Sequence, residues 1–173
     1  MIATIASIVP FLVLASHVLL VFLFLSVIFR HSWGQTVSEF LAKHVLQAGC
    51  IVAFFAVVGS LFYSELVGYP PCVLCWWQRV FLYPQLVIFA AALWMRDRTV
   101  FVYSSILASI AGLLALYHSY VYWGGESLLP CTALGGACSK IYVMAFGYIT
   151  IPSMSLTVVL YLLLLAWISR LYK

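Results

Sequence analysis

The sequence predicts an all-α membrane protein, a polytopic bundle of five transmembrane helices, and three observations carry that prediction. Only 7% of the 173 residues are charged while 66% are hydrophobic, so no fold of this chain presents a water-soluble surface. Uncharged stretches run over 2–29, 44–64, 66–78, 80–95, 99–125 and 141–169, and a helix needs roughly 20 apolar residues to cross the hydrocarbon layer. These stretches lack the alternation of barrel strands, and backbone groups in lipid must be satisfied within their own segment, which leaves helices.

The first span is expected near 4–29. No positive residue precedes its apolar run and it is long enough to cross by itself, so it reads as a membrane helix rather than a signal peptide. The following loop, "RHSWGQTVSEFLAKH", is either a short amphipathic helix at the interface or a plain polar connector. Four more spans are expected near 44–66, 73–94, 100–122 and 147–169. Arg30 and Lys43, Arg96 and Arg98, and Arg170 and Lys173 all fall on one side of a five-span chain. The positive-inside rule puts that side in the cytoplasm, with the N-terminus outside, the C-terminus cytoplasmic, and loops two and four external. Most of the basic residues behind the net charge of +4 sit in these short inner segments, and nothing in the sequence signals nucleic-acid binding.

Four of the five cysteines, Cys72, Cys75, Cys131 and Cys138, fall in or beside the two external loops, where disulfides persist. Cys50 lies inside the second span and reads as a small apolar packing residue. Cys131 and Cys138 enclose six residues including Gly135 and Gly136, so that pair is compatible with a structural staple as well as with exchange chemistry. A bridge between Cys72 and Cys75 would staple almost nothing, because closing so short a loop removes little chain entropy. A four-cysteine zinc site fits poorly, since one spacing is C-x2-C and the other C-x6-C; no metal is expected. Pro70 and Pro71 end the loop and place Cys72 and Cys75 in the first turn of the third span, where free N–H groups and the helix dipole favour a thiolate.

Arg79 shares a helical face with both cysteines and lies about 6 Å deeper than Cys75 at 1.5 Å per residue. It either snorkels to the interface beside Trp76 and Trp77, or faces the bundle and holds negative charge at a redox centre. A disulfide is regenerated only if two electrons leave, and the chain has neither a haem attachment motif nor a glycine-rich dinucleotide fingerprint. A lipid-soluble quinone needs neither motif. It would enter from the bilayer, stack on Trp76, Trp77 or Phe81, and be held by Arg79 and by His118, which lies near the outer end of the fourth span. His17, His31 and His44 have no comparable setting in the sequence.

"PPCVLCWWQR" resembles the C-x-L-C-x-x-Q/E-R signature of the DsbB family of disulfide-forming membrane proteins, and "CTALGGACSK" with "FGYITIPSMSLT" resembles its BdbC branch. The similarity runs from about residue 44 to the C-terminus, which divides the chain into 1–43, an extra helix and cytoplasmic loop, and 44–173, a DsbB-like four-helix redox domain. The resemblance implies a bacterial cytoplasmic membrane enzyme that oxidises a DsbA-like thioredoxin-fold partner and passes the electrons to ubiquinone or menaquinone. By the same resemblance Cys131 and Cys138 match the pair that exchanges with the partner, Cys131 forming the mixed disulfide. Cys72 and Cys75 match the pair beside the quinone, Cys75 contacting it, with Arg79 supporting the quinone and His118 near that site. The six-residue gap between Cys131 and Cys138 is shorter than in the best-known proteobacterial members, which bears on how far Cys138 can travel toward Cys72. A non-catalytic scaffold with permanent staples and a quinone-linked reductase running in the opposite direction remain as alternatives. A transporter fits less well, for the spans carry too few polar residues to outline a path.

Overall fold

The structure is a computed structural model that describes residues 2–31, 34–127 and 138–172. Its described residues form six α-helices: α1 (Ile2–Ile28), α2 (Gln35–Lys43), α3 (Val45–Leu61), α4 (Val73–Met95), α5 (Val100–Tyr122) and α6 (Ile151–Leu171). A π-helical turn, Phe62–Leu66, prolongs α3. Five of these segments, α2 being the exception, are long and apolar enough to cross a membrane, as expected for a multi-pass membrane protein. The loop after the first span is the helical alternative: α2 turns Ser38 and Ala42 inward, and Ser38 Oγ donates to the Ser26 carbonyl across the turn at 3.0 Å.

The last helix starts later than the sequence suggests, at Ile151 rather than near 147. Ala145 and Ile149 pair as an isolated bridge, and Phe146 and Gly147 both take positive φ, so "AFGYI" closes a tight turn before the helix opens. Thr150 and Ser153 then form a reciprocal capping box, and Pro152 sits in the first turn, where it removes no needed hydrogen bond.

Helices α3, α4, α5 and α6 form the core, with α5 against α6 and α4 between α3 and α5. Within this core, two glycines let helices approach closely. A Cβ on Gly49 would stand 2.5 Å from the fully buried Phe89 ring, and one on Gly112 would meet Val159 at 3.0 Å. Ser104 Oγ donates to Gln85 Oε1 at 2.6 Å, a fully buried polar tie between α4 and α5. Arg98 closes the end of the bundle opposite the cysteines, donating to the carbonyls of Ala42 at 3.0 Å and Tyr172 at 3.1 Å. Both acceptors sit at helix C-termini, where a cation is favoured.

Helix α1 is peripheral and packs on α2 and α6. It is fastened by a polar seam: His17 Nε2 lies 2.7 Å from Thr157 Oγ1, Tyr148 Oη approaches His17 Nδ1 at 3.3 Å, and Tyr161 donates to the Ser16 carbonyl. Phe11 meets Phe146 edge to face at 5.2 Å.

Candidate redox site

Cys72 is the N-cap of α4, with extended backbone dihedrals, and its sulfur accepts the Cys75 backbone N–H at 3.4 Å. The prolines before it hold the chain extended, so the first turn begins at the cysteine itself. Cys75 follows one turn later, and the two sulfurs are 3.1 Å apart, about 1 Å beyond an S–S bond. The pair is therefore a dithiol poised to close. With both protonated, either sulfur donates to the other. Once one ionises, Cys72 is where the charge rests: the hydrogen bond from Cys75, and then His118, hold its thiol well below the usual range, against the opposing effect of burial.

His118 comes from α5 and is 3% exposed. Its Nε2 lies 3.7 Å from Cys72 Sγ, and its Nδ1 lies 3.0 Å from the side-chain nitrogen of the buried Gln78. If the Gln78 amide donates to Nδ1, the ring proton sits on Nε2 and points at the sulfur. The result is a Gln78–His118–Cys72 chain, in which an amide orients an imidazole and the imidazole meets a thiol.

Sequence spacing put Arg79 under the cysteines, and the structure adds what holds it. Its Nε donates to Ser60 Oγ at 3.1 Å and Nη2 to the Ser60 carbonyl at 3.3 Å, while Tyr83 Oη donates to the same Oγ at 3.0 Å. The guanidinium lies over Trp76 at 5.1 Å and Tyr83 at 5.8 Å. Trp76 and Trp77 are 56% and 49% exposed. Trp76 acts as a shelf for the arginine rather than as a wall of the cavity below it, and Phe81 packs on the core.

That cavity, about 670 Å³, is lined by residues of α1, α3, α4, α5 and α6, with Cys72, Cys75, Arg79 and His118 among them. Its size falls in the usual range for small-molecule sites, about 300–1,000 Å³. Cys138 also borders it. Cys138 is disulfide-bonded, 2% exposed, and packs in one buried cluster with Cys72, Leu74 and Val121. Cys138 thus stands directly against the Cys72 pair. Tyr122 Oη, donating to the Val143 carbonyl at 2.8 Å, anchors the segment that follows. Cys131 lies outside the described residues.

Cys72, Cys75 and His118 place their donor atoms within 4.8 Å of one another, so a metal deserves a geometric test. Two thiolates on tetrahedral zinc, each at about 2.3 Å, stand about 3.8 Å apart. The observed 3.1 Å is too close for that arrangement and suits a dithiol–disulfide pair.

The sequence assigns no role to Ser60 or Tyr83, and marks Gln78 only as the Q/E position of the resembled signature. Gln78 carried the clearest signal, since an amide inside a span must find a partner. His17, which has no evident setting in the sequence, is a satisfied packing histidine on α1.

The family model described as disulfide bond formation protein DsbB matches residues 42–169. The chain is 37% identical over 122 residues to a "probable disulfide formation protein" of Metapseudomonas resinovorans, covering 69% of this chain and 85% of that one. It is 39% identical over 104 residues to the SPbeta prophage-derived disulfide bond formation protein B of Bacillus subtilis, covering 60% and 70%. Disulfide bond formation protein C of the same organism is 36% identical over 113 residues, covering 64% and 81%. No solved structure matches.

Proposed function

The chain belongs to the DsbB family of disulfide bond formation proteins, and from that premise we propose that it oxidises a DsbA-like thioredoxin-fold partner and delivers the electrons to a membrane quinone. One observation carries this reading. The Cys72–Cys75 dithiol and Arg79 line one cavity whose surface is largely apolar, inside a membrane bundle. A group that fits such a site is carried by the bilayer and has a polar, electron-accepting end.

Each step is an exchange of sulfur partners. The partner's dithiol attacks the Cys131–Cys138 disulfide at Cys131 and leaves as a disulfide, giving up two electrons and two protons to that pair. Cys138, already packed beside Cys72, attacks the Cys72–Cys75 disulfide, and Cys131 completes the transfer. Cys72 and Cys75 are then the reduced pair. His118, its ring fixed by Gln78, donates its Nε2–H to Cys72 Sγ and stabilises the thiolate there. Arg79, locked by Ser60, stabilises negative charge in the cavity. A bound quinone would supply the sink for the two electrons and two protons that Cys72 and Cys75 give up as their disulfide re-forms.

In this reading the cysteine end of the bundle faces outward from a bacterial cytoplasmic membrane, and the Arg98 end faces the cytoplasm. Residues 44–173 form the redox domain and 1–43 an addition to it. The test is quinone reduction by the purified protein in detergent with a reduced DsbA-like partner. Turnover lost in Cys75→Ser and weakened in Arg79→Ala, with a raised quinone KM, is the expected result. No turnover from folded protein with several partners and both quinone types would return the chain to a stapled scaffold.

A further inference from the structure

Three buried hydroxyls, Tyr63 Oη, Tyr142 Oη and Ser155 Oγ, have no hydrogen-bond partner among the described residues, and all three residues line the cavity that holds Cys72, Cys75 and Arg79. Buried polar groups are nearly always paired, because leaving one unmade is costly. The fourth such atom, Gln85 Nε2, belongs to a residue outside this cavity lining. Three orphans lining one cavity therefore mark where a ligand places its hydrogen-bond acceptors. The two tyrosines are held in place by a stack. Tyr63 lies on Tyr69 at 6.1 Å and 8°, and Tyr69 on Tyr142 at 4.8 Å and 27°. Tyr63 itself is 7% exposed.

Other parts of the same lining are apolar and open. Leu12 of α1 and Ile51 and Phe55 of α3 line the cavity, yet are 62%, 55% and 66% exposed. A residue that both lines a cavity and faces the lipid stands at its mouth. The mouth therefore lies between α1 and α3, which each pack on α6. One side of it is supplied by the helix that lies outside the matched family region, 42–169.

We infer that Tyr63, Tyr142 and Ser155 donate to the carbonyl oxygens of the quinone ring, and that its isoprenoid tail leaves between α1 and α3, so that α1 helps select the tail. This rests on the quinone reading above and deepens it. It gives α1 a role at the ligand: the helix is a wall of the acceptor site, tied to α6 by the His17–Thr157 contact so that the mouth keeps its width.

Equilibrium binding to the full-length protein in detergent tests it, followed by quenching of tryptophan fluorescence. The probes are ubiquinone and menaquinone, each with a full isoprenoid tail and each with a single isoprene unit. Tyr63→Phe should weaken both tail lengths alike, by about 3- to 10-fold, the loss of one hydrogen bond. Leu12→Trp narrows the mouth at a lipid-facing position that the fold does not depend on. It should weaken the full-tailed probe by about tenfold and leave the short one within about twofold. Unchanged affinities in Tyr63→Phe, or equal losses for both tails in Leu12→Trp, would overturn the inference. So would phospholipid competing as well as quinone, which would make the cavity a lipid site. Quinone binding that follows the expected pattern without partner-driven turnover would instead refute the oxidase reading and leave the binding geometry standing.

Discussion

Replacing His118 with leucine removes the imidazole whose Nε2 stands 3.7 Å from Cys72 Sγ and leaves the Gln78 amide without its partner. A hydrogen bond to a charged group contributes ~1.5–3 kcal/mol, and a contact this long to sulfur belongs at the low end. At 1.36 kcal/mol per unit, the Cys72 pKa in the reduced protein should rise by about one unit. The direction follows from the sign of the existing shift. The thiol is held low in the wild type by Cys75 and His118, so its thiolate persists as pH falls, and losing one of those partners moves its protonation to higher pH. Reduced protein would be pulsed with iodoacetamide across a pH series, and alkylation at Cys72 and Cys75 read separately by mass spectrometry. The Cys72 midpoint should move up in His118→Leu. The orphaned Gln78 amide also costs stability, and a Gln78→Leu, His118→Leu double variant should recover most of that loss while keeping the raised midpoint. An unchanged or lowered midpoint in both variants would refute the role given to His118.

Arg79→Lys keeps the charge but loses the two-point hold on Ser60 and the stacking on Trp76 and Tyr83. Quinone KM should rise by about 3- to 10-fold, between wild type and Arg79→Ala, whereas a purely electrostatic role predicts no change. Gly49→Ala drives a methyl into Phe89 and should destabilise the bundle by about 1–3 kcal/mol in denaturant unfolding, with little change at the dithiol. Arg98→Ala cuts the ties to Ala42 and Tyr172 at the far end of the bundle. It should cost about 1–3 kcal/mol while leaving quinone KM unchanged, so a redox defect there would contradict the separation of the two ends.

The membrane class, the five spans and the reactive pair at a helix start were all readable along the chain. Each depends on local facts: lengths of uncharged sequence, prolines before a cysteine, and the rise per residue that sets Arg79 one turn below Cys75. The start of α6 was not readable, because the apolar residues of "FGYI" extend the hydrophobic run while positive φ at Phe146 and Gly147 keeps them in a turn before the helix opens. Trp76 and His118 show the same limit at the site. Their positions in sequence were compatible with ring stacking and ligand contact; the structure sets Trp76 against the Arg79 guanidinium outside the cavity lining, whereas His118 both lines the cavity and stands 3.7 Å from Cys72 Sγ.

What the sequence by itself determined is therefore class and local placement: which segments are apolar enough to span a membrane, and that Cys72 and Cys75 open the third of them. What only the tertiary structure decided is which helix faces which. These spans are apolar nearly all round, so they carry no stripe from which rotation about the axis can be read. Rotation is set by close contacts such as Gly49 on Phe89 and Gly112 on Val159, and by polar ties such as Ser104 to Gln85 and His17 to Thr157. Those contacts bring Gln78 to His118, His118 to Cys72, and the tyrosines of two distant segments to one cavity. Residues 40 or more positions apart in the chain meet only when packing has fixed every helix between them.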